Sequence, residues 1–410
     1  MKSAIRFLIP ALGLLLFFGC APLIEKPATL PEKPAVQTPV KPAALIPVSA
    51  MDIPILADDM DMLSLEKAVS RSLSYFDRLP DKRAFLFGEN TYTAKEMKDS
   101  LLLFLDIMRS PGTSAQKERR IRESFDFYKA AGLEETKNVL FTGYYEPVLD
   151  GYFTETEKYR YPIYEVPRDL VVVNLGKFNN KYDAERIVGR VADREVVPYY
   201  SRGDIDNKGV LGKQGREIAW VSDLIDVFFL HVQGSGMIRF PEGGFMQISF
   251  AETNGRPYRG IGRFLVDAGK IKAQDMSLDS IKKYLRQHPE EITSILNHNE
   301  SYVFFRIVEA GPVGSIGVPL TGGRSIATDL GIFPRGALSL IRLRKPLFSE
   351  KGELLSWENF SRFVLNQDTG GVIKGPGRVD LYCGTGENAG LIAGNMKEEG
   401  EIFFLVKKKI

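Results

Sequence analysis

From residue 60 to about 135 the apolar positions recur at helical spacing. Leu65, Ala68, Val69, Leu73 and Phe76 fall on one face, the pattern of an amphipathic helix. A second helix is predicted from Thr93, which forms a capping box with Glu96. Met97, Leu101, Phe104, Leu105 and Met108 continue its apolar face until Pro111 stops it. From Asn138 the period shortens. Strands are predicted at Val139–Phe141, Tyr161–Val166, Asp169–Val173, Ile218–Val221, Val227–Val232 and Met246–Phe250, with turn residues between them. Helical patterns follow around Gly262–Ala268 and Ser277–Leu296. Strand returns at Tyr302–Val308, then at Gly314–Leu320, Ser325–Thr328, Ala337–Leu343, Phe363–Leu365, Val379–Tyr382 and Glu401–Val406. These short runs, separated by Gly and Pro turns, fit a small closed barrel. There is no repeat of fixed period and no strand–helix–strand alternation.

The N-terminus is of another kind. Lys2 and Arg6 precede an apolar run, Phe7–Phe18, too short to span a bilayer comfortably. Residues 1–19 are expected to be a signal peptide. Its end, Leu16-Phe17-Phe18-Gly19-Cys20, resembles a lipobox, with Phe17 where Leu is usual. Cys20 is the candidate lipidation site. Residues 20–58 are rich in Pro among Ala, Val, Lys and Thr, a composition that favours extended chain and builds no core. They are expected to tether the lipid to the folded body.

Composition narrows the partners. The 410 residues suit two domains, and the net charge is +2. With no basic tract beyond the three C-terminal lysines, nucleic acid is not an expected partner. The two cysteines, Cys20 and Cys383, are too few for a disulfide framework. The three histidines have no ligand-like spacing, so no metal site is expected. Gly384-Thr385-Gly386-Glu387-Asn388-Ala389-Gly390 has its third glycine one residue too late for a dinucleotide fingerprint. Gly234-Ser235-Gly236 follows Gln233, so it lacks the glycine a nucleophile elbow needs two residues before the serine.

The stretch with most chemical content is Leu365–Gly394. Asp368 and Asp380 sit at strand-like runs, with Gly370, Gly371, Gly375 and Gly377 between them. Tight glycine turns can bring two such acids to one cleft, where a carboxyl can act as general acid or base. An Asp at a strand end can equally be a turn former.

The motifs here resemble the membrane-bound lytic murein transglycosylase A family and its C-terminal 3D domain, named for three aspartates. The three are Asp329 after Arg324-Ser325-Ile326-Ala327-Thr328, Asp368 in Asp368-Thr369-Gly370-Gly371, and Asp380 in Val379-Asp380-Leu381-Tyr382. The resemblance extends upstream through Phe141-Thr142-Gly143-Tyr144-Tyr145-Glu146-Pro147, Tyr161-Pro162-Ile163-Tyr164, Val232-Gln233-Gly234-Ser235-Gly236, Asn254-Gly255-Arg256-Pro257-Tyr258-Arg259 and Tyr302-Val303-Phe304-Phe305. It covers roughly residues 60–410.

The resemblance implies a mainly β, α+β fold. A double-psi β-barrel with N-terminal helices would comprise residues 59–146 and 309–410, and residues 147–308 would form an inserted β-rich domain. It implies cleavage of the β-1,4 bond between N-acetylmuramic acid and N-acetylglucosamine without water, leaving 1,6-anhydromuramic acid. Asp380 would be the general acid/base, with Asp368 and Asp329 supporting it. Tyr144, Tyr145, Glu146, Gln233, Gly234, Ser235 and Gly236 offer the aromatic and polar groups a glycan needs and are candidate substrate contacts. No cofactor is implied. The implied partners are peptidoglycan glycan strands and, through the lipid on Cys20, the periplasmic face of the outer membrane. Two other readings fit the same residues: a glycoside hydrolase on the same barrel, with Asp368 or Asp329 activating water, and a non-catalytic cell-wall-binding lipoprotein.

Overall fold

The computed structural model describes residues 44–409 except 184, 213 and 310. The expected signal peptide, Cys20 and most of the expected tether lie outside the described residues.

Strand β1 (Leu45–Pro47) opens the described chain. Helix α1 (Met62–Phe76), the hairpin β2 (Ala84–Phe87) and β3 (Asn90–Thr93), and helices α2 (Ala94–Arg109) and α3 (Ser114–Ser124) follow. Strands β4 (Phe125–Ala130) and β5 (Val139–Glu146) complete the N-terminal part. The predicted capping box is present: Thr93 accepts from the Glu96 amide, and the Glu96 carboxylate accepts from the Thr93 amide. The apolar stripes of α1 and α2 enter the main core through Leu65, Val69, Leu101 and Phe104. The stretch expected to be helical throughout also holds β2, β3 and β4, whose short Phe- and Tyr-rich runs the helix pattern concealed.

The part expected to be tether is docked from Leu45 onward. β1 pairs antiparallel with β4, and Leu45 is buried in the core. Asp58 grips the fully buried Arg324 guanidinium with both oxygens, at 2.6 and 2.8 Å. Asp59 does the same to Arg362, at 2.7 Å each. Apolar and ionic anchors override the extended-chain composition here.

The chain then passes through Pro147 into a second set of elements. These are β6 (Val148–Tyr152), β7 (Tyr161–Tyr164), β8 (Leu170–Asn174), β9 (Arg186–Ala192), β10 (Glu195–Pro198), α4 (Arg202–Asp206), β11 (Glu217–Val221), α5 (Leu224–Gln233), β12 (Ser235–Arg239), β13 (Phe245–Thr253), α6 (Ile261–Asp267), α7 (Leu278–Gln287), α8 (Ile292–Asn297) and β14 (Val303–Val308). Six of the strands form one sheet, ordered β14-β13-β12-β6-β11-β7, and β8–β10 form another. Val308, Gln247, Met237 and Val148 share one row of the larger sheet. The excursion therefore leaves and returns at the same level of that sheet, three strand spacings or about 14 Å apart.

One predicted strand in this region is a helix. Val227–Val232 belongs to α5, capped by Asp223 on the Ile225 amide and ended by Gly234 in the left-handed conformation. The run is buried from Val227 through His231. A segment apolar on all sides has no period to distinguish helix from strand.

The C-terminal part contains β15 (Ser325–Ala327), β16 (Leu338–Phe348), β17 (Leu354–Asp368), β18 (Arg378–Thr385), α9 (Glu387–Asn395) and β19 (Lys397–Lys407). The expected strand at Gly314–Leu320 is a loop with one isolated bridge, Val313 to Pro319. α9 was not foreseen, because its start lies in a glycine-rich stretch. The order β19-β16-β17-β15-β18-β5 closes through a β19–β5 pairing into a six-stranded barrel. Within it β15–β17 and β18–β5 are parallel. The architecture is mainly β with helices, as expected.

Candidate active site

Strand register assembles the site. Ala327 of β15 pairs with Asp368 of β17 on one side and with Asp380 of β18 on the other. Asp380 in turn pairs with Thr142 of β5. Four residues from four strands thus stand in one row. Side chains alternate along each strand. Phe141, Val379 and Leu381 enter the barrel core, which leaves Thr142, Arg378, Asp380 and Tyr382 on the opposite face.

Asp380 has an asymmetric carboxyl. Its Oδ1 accepts from the Thr142 hydroxyl and, at 3.4 Å, from Arg378 Nε. Arg378 Nη2 donates to Thr142 Oγ1 at 3.0 Å, closing a three-residue ring. Among the described residues no group donates to Oδ2. Nor is Oδ2 a sealed, unpartnered atom, so it keeps contact with solvent. The side chain is 18% exposed. Burial pushes its pKa up to about 6, against the opposing pull of Arg378 and with a further push from Asp368. Desolvation dominates because it penalises only the charged form.

The other acids have both oxygens occupied. Asp368 accepts from Tyr144 Oη at 2.8 Å and from the Ser315 amide at 2.9 Å. Burial raises its pKa, against these hydrogen bonds and that of the Thr369 amide. Burial and then Asp368 hold the Tyr144 phenol well above its usual range, so it stays a donor. Asp329 accepts from the amides of Gly331 and Gly375, each at 3.0 Å. It makes a local turn and holds the loop before β18, and no hydrogen bond joins it to Asp368 or Asp380. Glu146 accepts from Thr385 Oγ1 at 2.8 Å and from Gln247 Nε2. Burial raises its pKa.

The remaining candidates separate by what they touch. The Tyr144 ring tilts against Tyr382 at 5.3 Å between centroids, giving an aromatic wall beside Asp380. Tyr145 is buried against Ala389 and Ala393 of α9. The Gln233 side chain accepts from the Tyr145 amide at 3.0 Å. Gly234 ends α5, and Ser235 is buried at the start of β12. A side chain on Gly236 would meet Leu230 at 2.4 Å. Glu146 and the segment from Gln233 to Gly236 therefore make their contacts where the barrel meets the elements of residues 148–308. Cys383 is a half-buried wall residue whose thiol burial pushes up to about 12.

Thr142 and Arg378 were not singled out in the sequence. Arg378 was within reach, since Arg-x-Asp on a strand puts both side chains on one face. Thr142 was hidden, because its partner lies 238 residues away. A cavity of about 320 Å³ lies elsewhere, lined by Tyr161, Asp223, Pro289 and Ile292 among others. It contains none of the three aspartates, and its Asp223 caps a helix. Among the described residues His288, Glu290 and Glu291 have ligand atoms close enough together for a cation. Glu291 there already binds Lys270 and Tyr284, each at 2.8 Å.

Two family models match the chain. Residues 140–306 match the MltA specific insert domain, and residues 324–406 match the 3D domain. The chain is 33% identical over 291 residues to membrane-bound lytic murein transglycosylase A of Escherichia coli K12, covering 70% of this chain and 71% of that protein. The chain belongs to the membrane-bound lytic murein transglycosylase A family. Membership makes it an enzyme of the lytic transglycosylase class. The Vibrio cholerae member is 32% identical over 279 residues, 67% of each chain. Among solved members, the membrane-bound lytic murein transglycosylase of Agrobacterium tumefaciens superposes with a TM-score of 0.71 at 30% identity, covering 89% of this chain and 98% of that one. E. coli MltA with bound chitohexaose superposes at 0.67 with 25% identity, covering 90% and 96%.

Proposed function

We propose that this enzyme cleaves the β-1,4 bond between N-acetylmuramic acid and N-acetylglucosamine without water, and that Asp380 is its one general acid/base. The observation that carries the reading is the free oxygen of Asp380. Asp329, Asp368 and Glu146 each have both carboxyl oxygens committed to protein donors. Of these four acids, Asp380 is the one that combines a raised pKa with an oxygen open to a substrate.

One carboxyl suffices if the nucleophile is the sugar itself. A hydrolase needs a second carboxyl to activate water or attack the ring. In the proposed reaction Asp380 gives its proton to the glycosidic oxygen as the bond to C1 breaks. The C6 hydroxyl of the same muramic ring attacks C1 and returns its proton to Asp380. Tethering makes that attack effective, with effective molarities of roughly 10⁵ M or more. A pKa near 6 serves both halves, since the group must hold a proton first and accept one afterwards. Tyr144, with the buried Tyr382 ring packed behind it, is the proposed sugar contact. Asp368 tunes Asp380, and Asp329 supports the site by fixing the loop.

The test is the product. Sacculi digested in heavy-oxygen water should release muropeptides with unlabelled anhydro ends, lighter by one water than reducing ends. Labelled reducing ends would show hydrolysis. Release of nothing, with the protein bound to sacculi, would make it a binding module.

We also propose a lipid on Cys20 that holds the enzyme at the periplasmic face of the outer membrane. The family name implies membrane association, and no helix among the described residues is long and apolar enough to cross a bilayer. Cys20→Ser should leave the protein soluble in the periplasm or unprocessed. A Cys20→Ser protein found in the membrane fraction at the processed mass would overturn this.

A further inference from the structure

We infer that Thr142 and Arg378 are positioning residues that give the two oxygens of Asp380 separate roles, with Oδ1 a fixed acceptor and Oδ2 the oxygen that delivers and retrieves the proton. The inference rests on Asp380 being the acid, and it adds how the protein decides which oxygen works.

The geometry is a closed ring. Thr142 Oγ1 is held by Arg378 Nη2 at 3.0 Å, so its lone pair faces the guanidinium and its hydrogen points to Asp380 Oδ1. Arg378 Nε faces the same oxygen at 3.4 Å. An arginine has only donors, and a hydroxyl has one hydrogen to give. With two donors directed at Oδ1, a proton placed there would oppose both. The carboxyl proton therefore resides on Oδ2, the oxygen with no protein donor. Backbone fixes the ring: Thr142 pairs with Asp380 across two barrel strands, and Arg378 lies two residues before Asp380 on the same strand. Neither partner of the carboxyl needs to search for its place.

The ring also sets the strength of the acid. The charged and titratable groups facing Asp380 are Arg378 on its own strand, Asp368 from β17, the Tyr144 phenol from β5 and the Cys383 thiol beyond Tyr382. Burial holds the phenol and thiol neutral, and Arg378 is the one cation that opposes burial and Asp368. Without it Asp380 would be a weaker acid, slower to release its proton to the glycosidic oxygen. In the cleavage step the Oδ2–H proton passes to the leaving O4 as the C1–O4 pair goes with it. In the closure step the C6 hydroxyl forms the new bond to C1 and its proton returns to Oδ2. Oδ1 accepts from the same two donors throughout, so no protein group has to move between the two steps.

The test is the pH profile of anhydro-muropeptide release by Arg378→Gln, Arg378→Lys and Thr142→Val. Arg378→Gln should move the alkaline limb to higher pH by about one unit, the low end for an Arg–carboxylate pair. It should also lower kcat about tenfold or more, because returning the proton becomes easy and releasing it hard. Arg378→Lys keeps the charge but not the fork and should restore the limb while leaving kcat reduced. Thr142→Val keeps the shape and should reduce kcat with little change in KM, since it frees Oδ1 to take the proton. Folding is checked by circular dichroism and thermal unfolding. If Arg378→Gln loses activity with the limb unmoved, or if Thr142→Val raises KM alone, the positioning roles are wrong. Asp380→Asn is run alongside. If it stays active, the acid itself is misassigned, which is a different failure from an inactive Asp380→Asn beside an unshifted Arg378→Gln.

Discussion

Asp368 and Asp380 flank a single residue, Ala327, each paired with it from the strand on either side. Two strand spacings separate their backbones, roughly 10 Å, and the side chains share one face of the barrel wall. Asp368 raises the cost of charging Asp380, but the donors of the two acids divide the work. Tyr144 and the Ser315 amide saturate Asp368. Thr142 and Arg378 hold one oxygen of Asp380 and leave the other free.

Replacing Asp368 with Asn should move the alkaline limb of activity to lower pH. The Asp368 charge raises the pKa of Asp380, and removing a like charge removes that push. The acid form of Asp380 is then lost at lower pH as pH rises. The effect on kcat at the optimum should be smaller than that of changing Asp380. A limb that stays in place would show that Asp368 is neutral over this range or too well shielded to matter. The check is a pH–rate profile on purified sacculi.

Asp380 should also lower stability at neutral pH. Its folded pKa is about 6, against 3.8 for an ordinary aspartate. The folded state binds the proton more tightly than the unfolded chain, so this carboxyl costs nothing below about pH 4. The cost grows between pH 4 and 6 and is complete above 6. A shift of about two units corresponds to roughly 3 kcal/mol, an upper figure for a side chain that keeps some solvent contact. Asp380→Asn should therefore unfold at higher denaturant than wild type at pH 7.5, and the gap should close at pH 4. An equal gap at both pH values would contradict the raised pKa.

Gly143 should not tolerate alanine. An added Cβ would lie 2.6 Å from the Ala393 backbone of α9 and 3.0 Å from Cys383 Sγ. Backbone cannot yield as a flexible side chain does, so α9 must shift. The expected loss is about 1–3 kcal/mol, the usual range for overpacking. Because α9 also buries Tyr145, activity should fall too. Chemical denaturation of Gly143→Ala tests this, and unchanged stability would mean that α9 is loosely held.

How much of this was legible in the sequence depends on distance along the chain. The strands that build the barrel were visible, because each carries a short apolar run between turn residues. Asp329, Asp368 and Asp380 were recognised through family resemblance, since 52 acids in the chain gave composition no way to choose among them. α5 was misjudged because its run from Val227 to His231 is buried on every side and so lacks a period. The ring of Thr142, Arg378 and Asp380 was missed because it depends on which strands become neighbours. The same holds for Glu146 and Gln247, which meet across the junction from 101 residues apart. Resemblance singled out the three aspartates, but only the hydrogen bonds that strand register brings together show that Asp380 has an oxygen without a protein donor.

The most direct measurement is the turnover of Asp380→Asn on purified sacculi, scored as anhydro-muropeptide release with circular dichroism as the folding control. The amide is nearly isosteric and can still accept from Thr142 through its oxygen, so the fold should persist. It has no proton to deliver to the glycosidic oxygen and cannot take one from the C6 hydroxyl. General acid–base catalysis is worth roughly 10²–10⁴-fold, and one group performing both steps places the loss at the upper end or beyond. A folded Asp380→Asn enzyme that keeps more than about a tenth of wild-type turnover would contradict the account, because that loss is far too small for a positioned general acid.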